Sequence, residues 1–233
     1  MNDKINSKVS IIIPAKNEER TIGEVLDKIL LNFSADRVAV IVDETVDRTA
    51  EIAKQKKVKV ITGDGKGKGA AIKVAIDSIT SDILVFIDAD DSHKPEDIPK
   101  LIQLIIDNNA DLVVASRIKG GSEELSGSIN NIMRFIGNII SSFIINLIWA
   151  KGKVTVTDCQ NGFRAIRRNI AKQLNLKEDS FAIEQEMVIN CLKKGFRIRE
   201  VPSYELKRRH GKSQVNPIIM LPKYIWCLIK NIA

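Results

Sequence analysis

Runs of strand-forming residues alternate with amphipathic segments through the first half of the chain. The five runs are rich in β-branched residues, and the segments between them repeat apolar residues at helical spacing. The predicted strands are Val9–Ile13, which ends at Pro14, Val38–Val42, Val58–Thr62, Ile83–Ile87 and Asp111–Ala115. The predicted helices are Ile22–Leu30, Ala50–Lys56, Ala70–Ile79 and Asp97–Asn108. This alternation predicts an α/β fold with a mainly parallel sheet and helices on both faces.

The alternation ends at Ser116-Arg117. The stretch 118–128 is rich in glycine and serine and predicts a loop. Further elements are predicted as a strongly apolar helix over Ile129–Ala150, a helix over Phe181–Lys194 and a strand over Arg197–Leu206. Within the apolar helix, Arg134 and Asn138 interrupt the best candidate for a membrane span. We therefore expect this helix to pack on the protein or lie in an interface rather than to span a membrane alone.

The composition is that of a globular chain that favours anionic partners. Of 233 residues, 44% are hydrophobic and 28% are charged, and the formal net charge is +7. Only 5% are aromatic, which disfavours a base-stacking nucleic-acid surface. Cys159, Cys191 and Cys227 are widely spaced, which indicates reduced thiols in a cytoplasmic protein. The polar stretch 1–8 predicts no signal peptide.

Three carboxylates follow the predicted strand Ile83–Ile87, namely those of Asp88, Asp90 and Asp91. In an open α/β sheet the carboxyl ends of the strands form the ligand-binding edge. Clustered carboxylates repel one another, and oxygen ligands of this kind suit Mg²⁺ or Mn²⁺. The alternative is that one of them only caps the helix that begins near Pro95.

Polar residues follow the other predicted strands at the same edge of the sheet. They are Asn17 and Glu18, Asp43 and Asp47, and Lys66 and Lys68. Carboxylates and amides can accept hydrogen bonds from a nucleobase or ribose, whereas lysines and glycine amides can face phosphate. The loop Gly63–Gly69 does not fit the P-loop pattern and fits the dinucleotide pattern only loosely, so an ordinary basic loop is the alternative.

Two later stretches also have the composition of binding sites. Thr157–Ile166 combines polar residues with glycine and arginine. The basic cluster Lys207–Ser213 adjoins glycine and serine, as an anion-binding loop would, although a solvated run of charges is the alternative.

Seven motifs, in order, carry a resemblance to a known family. They are Pro14-Ala-Lys-Asn-Glu18, Val42-Asp-Glu-Thr-Val-Asp-Arg-Thr49, Gly67-Lys-Gly69, Asp88-Ala-Asp90, Ser116-Arg117, Asp158 with Gly162-Phe-Arg164, and Arg209-His-Gly-Lys-Ser213. Together they resemble family 2 glycosyltransferases, in the branch of dolichol-phosphate mannose synthases and polyprenyl-phosphate glycosyltransferases. The resemblance implies one GT-A domain over 1–213, with a nucleotide-binding half at 9–117 and an acceptor half at 118–213. The segment 214–233 would be an amphipathic, membrane-interfacial addition.

The resemblance also implies roles for individual residues. The nucleotide-sugar donor would be bound by Pro14, Ala15, Asn17, Glu18, Asp43, Asp47, Lys68 and Arg164. The metal, Mg²⁺ or Mn²⁺, would be held by Asp88 and Asp90, with Asp88 also near the ribose. The donor diphosphate and the acceptor phosphate would be bound by Arg117, Arg134, Arg208, Arg209 and Lys212. A hydroxyl acceptor would need a general base, with Asp158, Glu184 and Glu186 as the candidates, although both glutamates are equally explained as acids in the first turn of a helix.

The function so implied is inverting, metal-dependent transfer of a hexose from a GDP-mannose or UDP-glucose type of donor to dolichyl or polyprenyl phosphate. The apolar segments Ile132–Trp149 and Ile218–Ile229 have the composition of interfacial anchors, which suits a peripheral protein at the cytosolic face of a membrane. A membrane-anchoring partner or a homodimer is the other use of such segments. The alternatives for the whole chain are a soluble acceptor with the same donor chemistry and a non-catalytic nucleotide-sugar-binding module.

Overall fold

The computed structural model describes residues 8–123, 129–152, 154–208 and 217–232. Within these ranges, one mixed sheet has the strand order β3-β2-β1-β4-β6-β5-β7. The strands are β1 Val9–Ala15, β2 Val38–Val42, β3 Lys59–Thr62, β4 Ile83–Phe86, β5 Leu112–Ser116, β6 Arg164–Arg167 and β7 Ile198–Pro202. The five strands predicted for the first half of the chain are therefore confirmed, with ends that move by one or two residues.

Helices connect the strands and cover both faces of the sheet. The helices are α1 Ile22–Leu30, α2 Thr49–Gln55, α3 Lys68–Ser78, α4 Ile98–Ile106, α5 Arg117–Gly120, α6 Ile129–Ile145, α7 Arg168–Gln173, α8 Ile183–Lys193 and α9 Pro217–Ile232. Short 3₁₀ helices occupy Ala35–Arg37 and Pro95–Asp97, and the π-helical turn Asn146–Ala150 extends α6.

Strand β1 runs through Pro14 instead of ending there. The backbone carbonyl of Ile12 accepts a hydrogen bond from the amide of Ile87, just beyond β4. The backbone groups of every second residue in a strand face the same neighbouring strand, so the backbone of Pro14 also faces the β4 side. The ladder between β1 and β4 has ended by then, because its last pair is Ile12 with Phe86. The missing amide of proline therefore costs no hydrogen bond.

Strand β6 was not predicted. It lies antiparallel to both of its neighbours, β4 and β5, in a sheet whose other pairings are parallel. Its sequence, Arg-Ala-Ile-Arg, is too short to show a strand pattern. Because β6 lies between β4 and β5, the loop that precedes it is placed beside the acids that follow β4.

Each face of the sheet has its own apolar core. Alternate strand residues such as Ile13 and Val85 pack with α1, α2 and α4 on one face, whereas Ile12 and Leu84 pack with α3, α7, α8 and α9 on the other. These layers confirm the α/β prediction with helices on both faces.

Helices α6 and α9 pack against each other and expose apolar side chains. In α6 the buried residues are Asn138, Ser141, Ser142 and Ile145. Large exposed apolar residues on the two helices are Ile129, Ile132, Met133, Ile136, Ile139, Ile140, Phe143, Ile219, Leu221, Ile225, Trp226, Ile229 and Ile232, which we call the apolar surface. The usual arrangement of an amphipathic helix, with apolar residues inward, is reversed in α6.

The expectation that the α6 segment is too polar to cross a membrane is wrong on length and composition. Of the chain that the structure describes, Ile129–Ala150 is the one helix long and apolar enough to do so, and most of it is not buried. Its polar residues Asn138, Ser141 and Ser142 interrupt the sequence but share the side that faces the protein.

Candidate active site

A cavity of about 330 Å³ opens at the carboxyl ends of β1, β2 and β4. Its far wall is formed by residues of α6 and α9, including Arg134, Met220 and Tyr224. The residues predicted from sequence that line it are Pro14, Ala15, Glu18, Asp43, Lys68, Asp88, Asp90, Arg117, Arg134 and Arg208. The predicted edge of the sheet and three of the predicted phosphate-binding arginines, Arg117, Arg134 and Arg208, therefore share one cavity.

Asp43 organises the glycine loop at one end of the cavity. Its carboxylate accepts hydrogen bonds from the amides of Gly65 at 2.8 Å and Gly67 at 3.0 Å. Both glycines have positive φ, 78° and 117°, which few other residues adopt at low cost. These two amides were expected to face phosphate, and instead they hold the loop closed around Asp43.

Asn17 and Asp47 do not line the cavity in the structure. The side-chain oxygen of Asn17 accepts from the amide of Val46 at 2.9 Å. Asp47 accepts from the amide and hydroxyl of Thr49 at 3.0 and 2.6 Å and from the amide of Glu19 at 3.0 Å. Burial opposes ionisation, but these hydrogen bonds outweigh it and lower the pKa of Asp47. The two residues join the loops after β1 and β2, and their assignment to donor contact stays a prediction.

Asp88, which lines the cavity, forms an ion pair with Lys68. Its carboxylate is 2.5 Å from Lys68 Nζ and 3.4 Å from His93 Nε2. Burial raises the pKa of Asp88, but the charge of Lys68 and the hydrogen bond with His93 outweigh it and lower this pKa. Burial lowers the pKa of His93, and its bond to Asp88 outweighs that effect and raises it. Sequence reasoning missed His93, although it stands five positions after Asp88.

The other two acids after β4 also face cations. Asp90 accepts from Ser92 through one oxygen and lies 2.5 Å from the guanidinium of Arg208 through the other. Asp91, whose φ is +61°, lies 2.5 Å from Lys28 of α1. Lys28 is 63 positions away in sequence, so no local pattern indicates the pair.

Asp88 and Asp90 have the oxygen donors that Mg²⁺ and Mn²⁺ prefer. Among the described residues, no group of three or more His, Cys, Asp or Glu side chains is arranged to hold a metal ion. The two carboxylates therefore fit a cation whose remaining ligands are substrate phosphate oxygens and water, which is the usual state of protein-bound Mg²⁺.

Arg117 is held by two buried acids. Its Nε and one terminal nitrogen lie 2.8 and 2.9 Å from the two oxygens of Asp158, and the other terminal nitrogen lies 3.3 Å from Glu205. Burial opposes the charge on Arg117, but the acids outweigh it and raise its pKa well above the ordinary value. Asp158 is fully buried and does not line the cavity. It is placed to orient Arg117 and not to act as a general base, which corrects its assignment.

Arg164 is also fully buried and does not line the cavity, so its assignment to donor binding is corrected. Its guanidinium donates to the backbone carbonyls of Asn161 at 2.9 Å, Glu184 at 2.8 Å and Cys159 at 3.3 Å. Burial lowers its pKa. Arg164 therefore fixes the loop before β6 to the first turn of α8.

Gly162, in the same loop, packs directly against the Lys68–Asp88 pair. A Cβ on Gly162 would lie 2.5 Å from Lys68 Nζ and 2.8 Å from both carboxylate oxygens of Asp88. Real Cβ contacts are essentially never this short, so with any other residue here the ends of the Lys68 and Asp88 side chains would have to shift.

Two glutamates in the first turn of α8 have different environments. Glu186 accepts from the amides of Lys177 and Glu178, both at 2.9 Å, and so has a structural role. Glu184 lines the cavity, with Oε1 lying 2.8 Å from Lys68 Nζ. The sequence left both glutamates as candidates for a general base. Their contacts now distinguish them, because only Glu184 lines the cavity.

The basic cluster near the end of the chain reaches the site through Arg208. Besides Asp90, this guanidinium lies 3.4 Å from Glu18. Burial raises the pKa of Glu18, and Arg208 offsets part of that rise. The other predicted members, Arg209 and Lys212, lie outside the described residues.

Comparison with known proteins identifies the family to which this chain belongs. The sequence model of glycosyl transferase family 2 matches residues 10–174. The chain belongs to glycosyltransferase family 2. This family 2 glycosyltransferase is 32% identical to the UDP-N-acetylglucosamine–dolichyl-phosphate N-acetylglucosaminyltransferase of Methanococcus voltae, over 87% of this chain and 86% of the relative. It is 29% identical to the dolichyl-phosphate hexose transferase of Haloferax volcanii, over 90% of this chain and 87% of that one.

A solved structure confirms the GT-A fold of this family 2 glycosyltransferase. Glucosyl-3-phosphoglycerate synthase from Mycobacterium tuberculosis matches with a TM-score of 0.76 at 21% identity, over 99% of this chain and 80% of that one. That enzyme was crystallised with Mn²⁺, UDP and phosphoglyceric acid. The resemblance noted from the seven motifs, and the enzyme class it implied, are confirmed.

Proposed function

We propose that this glycosyltransferase moves a hexose, with inversion at C1, from a nucleotide-diphosphate sugar of the GDP-mannose or UDP-glucose type to dolichyl or polyprenyl phosphate. A divalent cation, Mg²⁺ or Mn²⁺, takes part, and the reaction occurs at the cytosolic face of a membrane. The names of the relatives from Methanococcus voltae and Haloferax volcanii support the acceptor class.

One observation carries the proposal: a single cavity joins the acids after β4 to the two helices of the apolar surface. Asp88 and Asp90 line one end, and Met133 of α6 and Leu221 of α9 line the other. A donor with charged phosphates suits the first end, and an acceptor with a hydrocarbon chain suits the second.

The residues of the cavity suit departure of a nucleoside diphosphate. An acceptor phosphate oxygen forms the new bond to C1 of the sugar, while the bond from C1 to the donor diphosphate breaks and its electrons leave with the diphosphate. A cation on Asp88 and Asp90 would neutralise the charge that develops on this leaving group. Arg117 and Arg134 line the same cavity and supply fixed positive charge for the two phosphate-bearing substrates.

A phosphate acceptor removes the need for a general base. A monophosphate has a second pKa of about 6, so it is largely ionised near neutrality. The buried ion pair of Asp158 with Arg117 suits this chemistry, because Asp158 is not placed to take a proton from an acceptor hydroxyl.

The apolar surface supports contact with a membrane. It joins exposed residues such as Phe143 and Trp226 on neighbouring helices, and larger patches of this kind mark interaction sites. The net charge of +7 favours the anionic cytosolic leaflet.

The test is transfer of radiolabelled sugar from a panel of GDP- and UDP-sugars into organic-extractable polyprenyl phosphate, with Mg²⁺ or Mn²⁺ present. We expect one donor to label the lipid and the Asp90→Asn variant to lose about 100-fold or more in rate, since Asn removes one cation ligand charge.

Asp82→Asn is the matched control, because Asp82 precedes the same strand at the opposite edge and its side chain is 69% exposed. That variant should keep full activity. Labelling of a soluble phosphate or hydroxyl acceptor with none of the lipid would overturn the acceptor assignment, and donor binding without transfer to any acceptor would support a non-catalytic module.

A further inference from the structure

We propose that Glu184 selects the sugar of the donor by accepting hydrogen bonds from its hydroxyl groups. This assignment rests on the proposed function, because it names which part of a nucleotide-sugar donor the residue contacts. It makes Glu184 a specificity-determining residue, distinct from the acids that hold the cation.

The first ground is an unsatisfied buried carboxylate. The Glu184 side chain is 2% exposed and lines the cavity. Lys68 Nζ lies 2.8 Å from Oε1, whereas among the described residues no donor makes a hydrogen bond to Oε2. Buried polar atoms normally have partners, and an unmade hydrogen bond to a charged group is costly. A ligand that brings donors to this oxygen would remove that cost.

The second ground is the position of Glu184 between the two ends of the cavity. Lys68 lies between Glu184 at 2.8 Å and Asp88 at 2.5 Å, so Glu184 is one side chain away from the acids that face the diphosphate. A diphosphate would be repelled by a second carboxylate there, and a hydrocarbon chain offers it no donor. The hydroxyl groups of the sugar, which is bonded directly to the diphosphate, satisfy both conditions.

The third ground is the rigid support of the residue. The backbone carbonyl of Glu184 accepts from the buried guanidinium of Arg164 at 2.8 Å. The next residue, Gln185, donates to the backbone of Tyr224 at 2.9 Å and accepts from Gln160 at 3.2 Å. Sites that discriminate between hydroxyl patterns need side chains held on such fixed supports, because a small displacement loses the hydrogen bond.

The competing role for Glu184 is that of a general base for a hydroxyl acceptor. A base must reach the acceptor and must affect the rate rather than the affinity for the donor. A sugar-binding residue affects the affinity for the nucleotide sugar and leaves that for the bare nucleoside diphosphate unchanged. The two roles therefore differ in a binding measurement that involves no acceptor.

The experiment compares binding of nucleotide sugars with binding of the matching nucleoside diphosphates, by calorimetry with Mn²⁺ present. The probes are GDP-mannose against GDP, and UDP-glucose and UDP-N-acetylglucosamine against UDP. We expect Glu184→Gln to weaken the sugar nucleotide that the wild type binds by about 10- to 100-fold and to leave the nucleoside diphosphate within about 2-fold, the range for charged hydrogen bonds.

Deoxy analogues of that donor, with one hydroxyl removed at a time, complete the cycle. One analogue should bind the wild type as weakly as Glu184→Gln binds the intact donor, with no further loss when both changes are combined. Glu184→Asp, which keeps the charge but withdraws the oxygens, should show the same selective loss. Melting temperatures of both variants check that the fold is retained.

Glu186→Gln is the matched control, because Glu186 is also a buried acid of the same helical turn, and its carboxylate contacts two backbone amides and, at 3.6 Å, Lys230 Nζ, all outside the cavity. It should keep the wild-type ratio of the two affinities. Equal weakening of sugar nucleotide and nucleoside diphosphate by Glu184→Gln would overturn the assignment, and so would unchanged binding with lost transfer. If the wild type binds no nucleotide sugar, the proposed function fails first and the assignment fails with it.

Discussion

Charged side chains in and beside the cavity form ion pairs before any substrate is present. Lys68 faces Asp88, Arg208 faces Asp90, and Arg117 faces Asp158. A phosphate competes for the cation of such a pair, and a metal ion competes for the carboxylate. Binding of the proposed donor would therefore redistribute the contacts of Lys68 with Asp88 and of Arg208 with Asp90, because both members of each pair line the cavity.

Arg164 and Arg208 give opposite predictions at this scale. Arg164→Met should lower the free energy of unfolding by about 3 kcal/mol or more, because it leaves buried carbonyls without a donor. Arg208→Met should lower sugar transfer while the unfolding midpoint in urea moves little. Urea titrations and transfer rates on both variants check this. If the Arg164→Met protein is stable but binds the donor more weakly, the original assignment of Arg164 to donor binding would be supported instead.

The sequence predicted the positions of residues well where the backbone alone determines them. Asp43, Asp88 and Asp90 follow buried strands, and the edge of a parallel sheet brings such residues together whatever the side chains do. The partners of these residues depend on contacts distant in sequence, such as that between Lys28 and Asp91, and no local pattern indicates them. Arg164 was misassigned because a charged residue in a motif was taken to face a ligand, whereas its partners are backbone carbonyls.

At the scale of secondary structure, the reversed helix α6 is the element that departs most from a soluble fold. Its polar residues face the protein, where Ser142 accepts from the amide of Cys159 at 3.2 Å and Asn138 accepts from the amide of Gln160 at 3.2 Å. These bonds attach α6 to the loop that contains Gly162. The helix can therefore leave its apolar side outward and still be fixed to the site.

A charge on the apolar surface should weaken binding to lipid without unfolding the protein. Phe143→Glu places a carboxylate on a side chain that is 66% exposed, so packing changes little. We expect sedimentation with vesicles of anionic and zwitterionic phospholipid to fall about 10-fold, since burying a charge in the interface is costly. Leu31→Glu is the control and should sediment like the wild type, because Leu31 follows directly after α1 and is 81% exposed. Equal loss in both variants would show a general effect of charge instead.

Strands and helices were easier to predict from the sequence when they were longer and when their apolar residues recurred at regular spacing. Strands β1, β2 and β4 are apolar runs, and α1 repeats buried residues Ile22, Val25, Leu26 and Ile29 at helical spacing. Strand β6 has only two apolar residues between two arginines, so its pairing with β4 and β5 depends on the rest of the sheet being present. Its antiparallel direction also could not follow from an alternation that implies parallel crossovers.

At the scale of the whole molecule, a cluster of charged residues stabilises the side of the sheet that lies opposite the cavity. Asp111 precedes β5 and accepts from the Arg197 amide at 2.9 Å and from the Arg197 guanidinium at 2.9 and 3.1 Å. Arg167, at the end of β6, lies 3.5 Å from the same carboxylate. One side chain therefore joins the three strands β5, β6 and β7 at the end remote from the site.

This cluster predicts a pH dependence of stability with a definite sign. Burial raises the pKa of Asp111, but the hydrogen bonds from Arg197 outweigh it and hold this pKa below the ordinary 3.8. An acid with a lowered folded-state pKa adds stability that is complete above its unfolded pKa and disappears as the pH falls through the folded one. Asp111→Asn should therefore cost about 1–2 kcal/mol at pH 7 and progressively less below about pH 4.

Urea unfolding of both proteins between pH 7 and pH 3 measures this difference. Because the Arg197 side chain is 44% exposed, the difference at pH 7 should also shrink in 1 M salt. A difference that stays constant over the whole pH range would show that packing, and not the charge of Asp111, accounts for it.

The cavity that ends between α6 and α9 has one consequence for how the enzyme would meet its substrates. In the proposed reaction, a water-soluble donor would reach the part of the cavity lined by Asp43, whereas a lipid acceptor would reach the part lined by Met133 and Leu221 without leaving its bilayer. The two encounters then take place in spaces of different dimension, one in solution and one in a plane. Turnover would follow the surface density of the acceptor rather than its amount per volume, so the composition of the bilayer would itself set the rate.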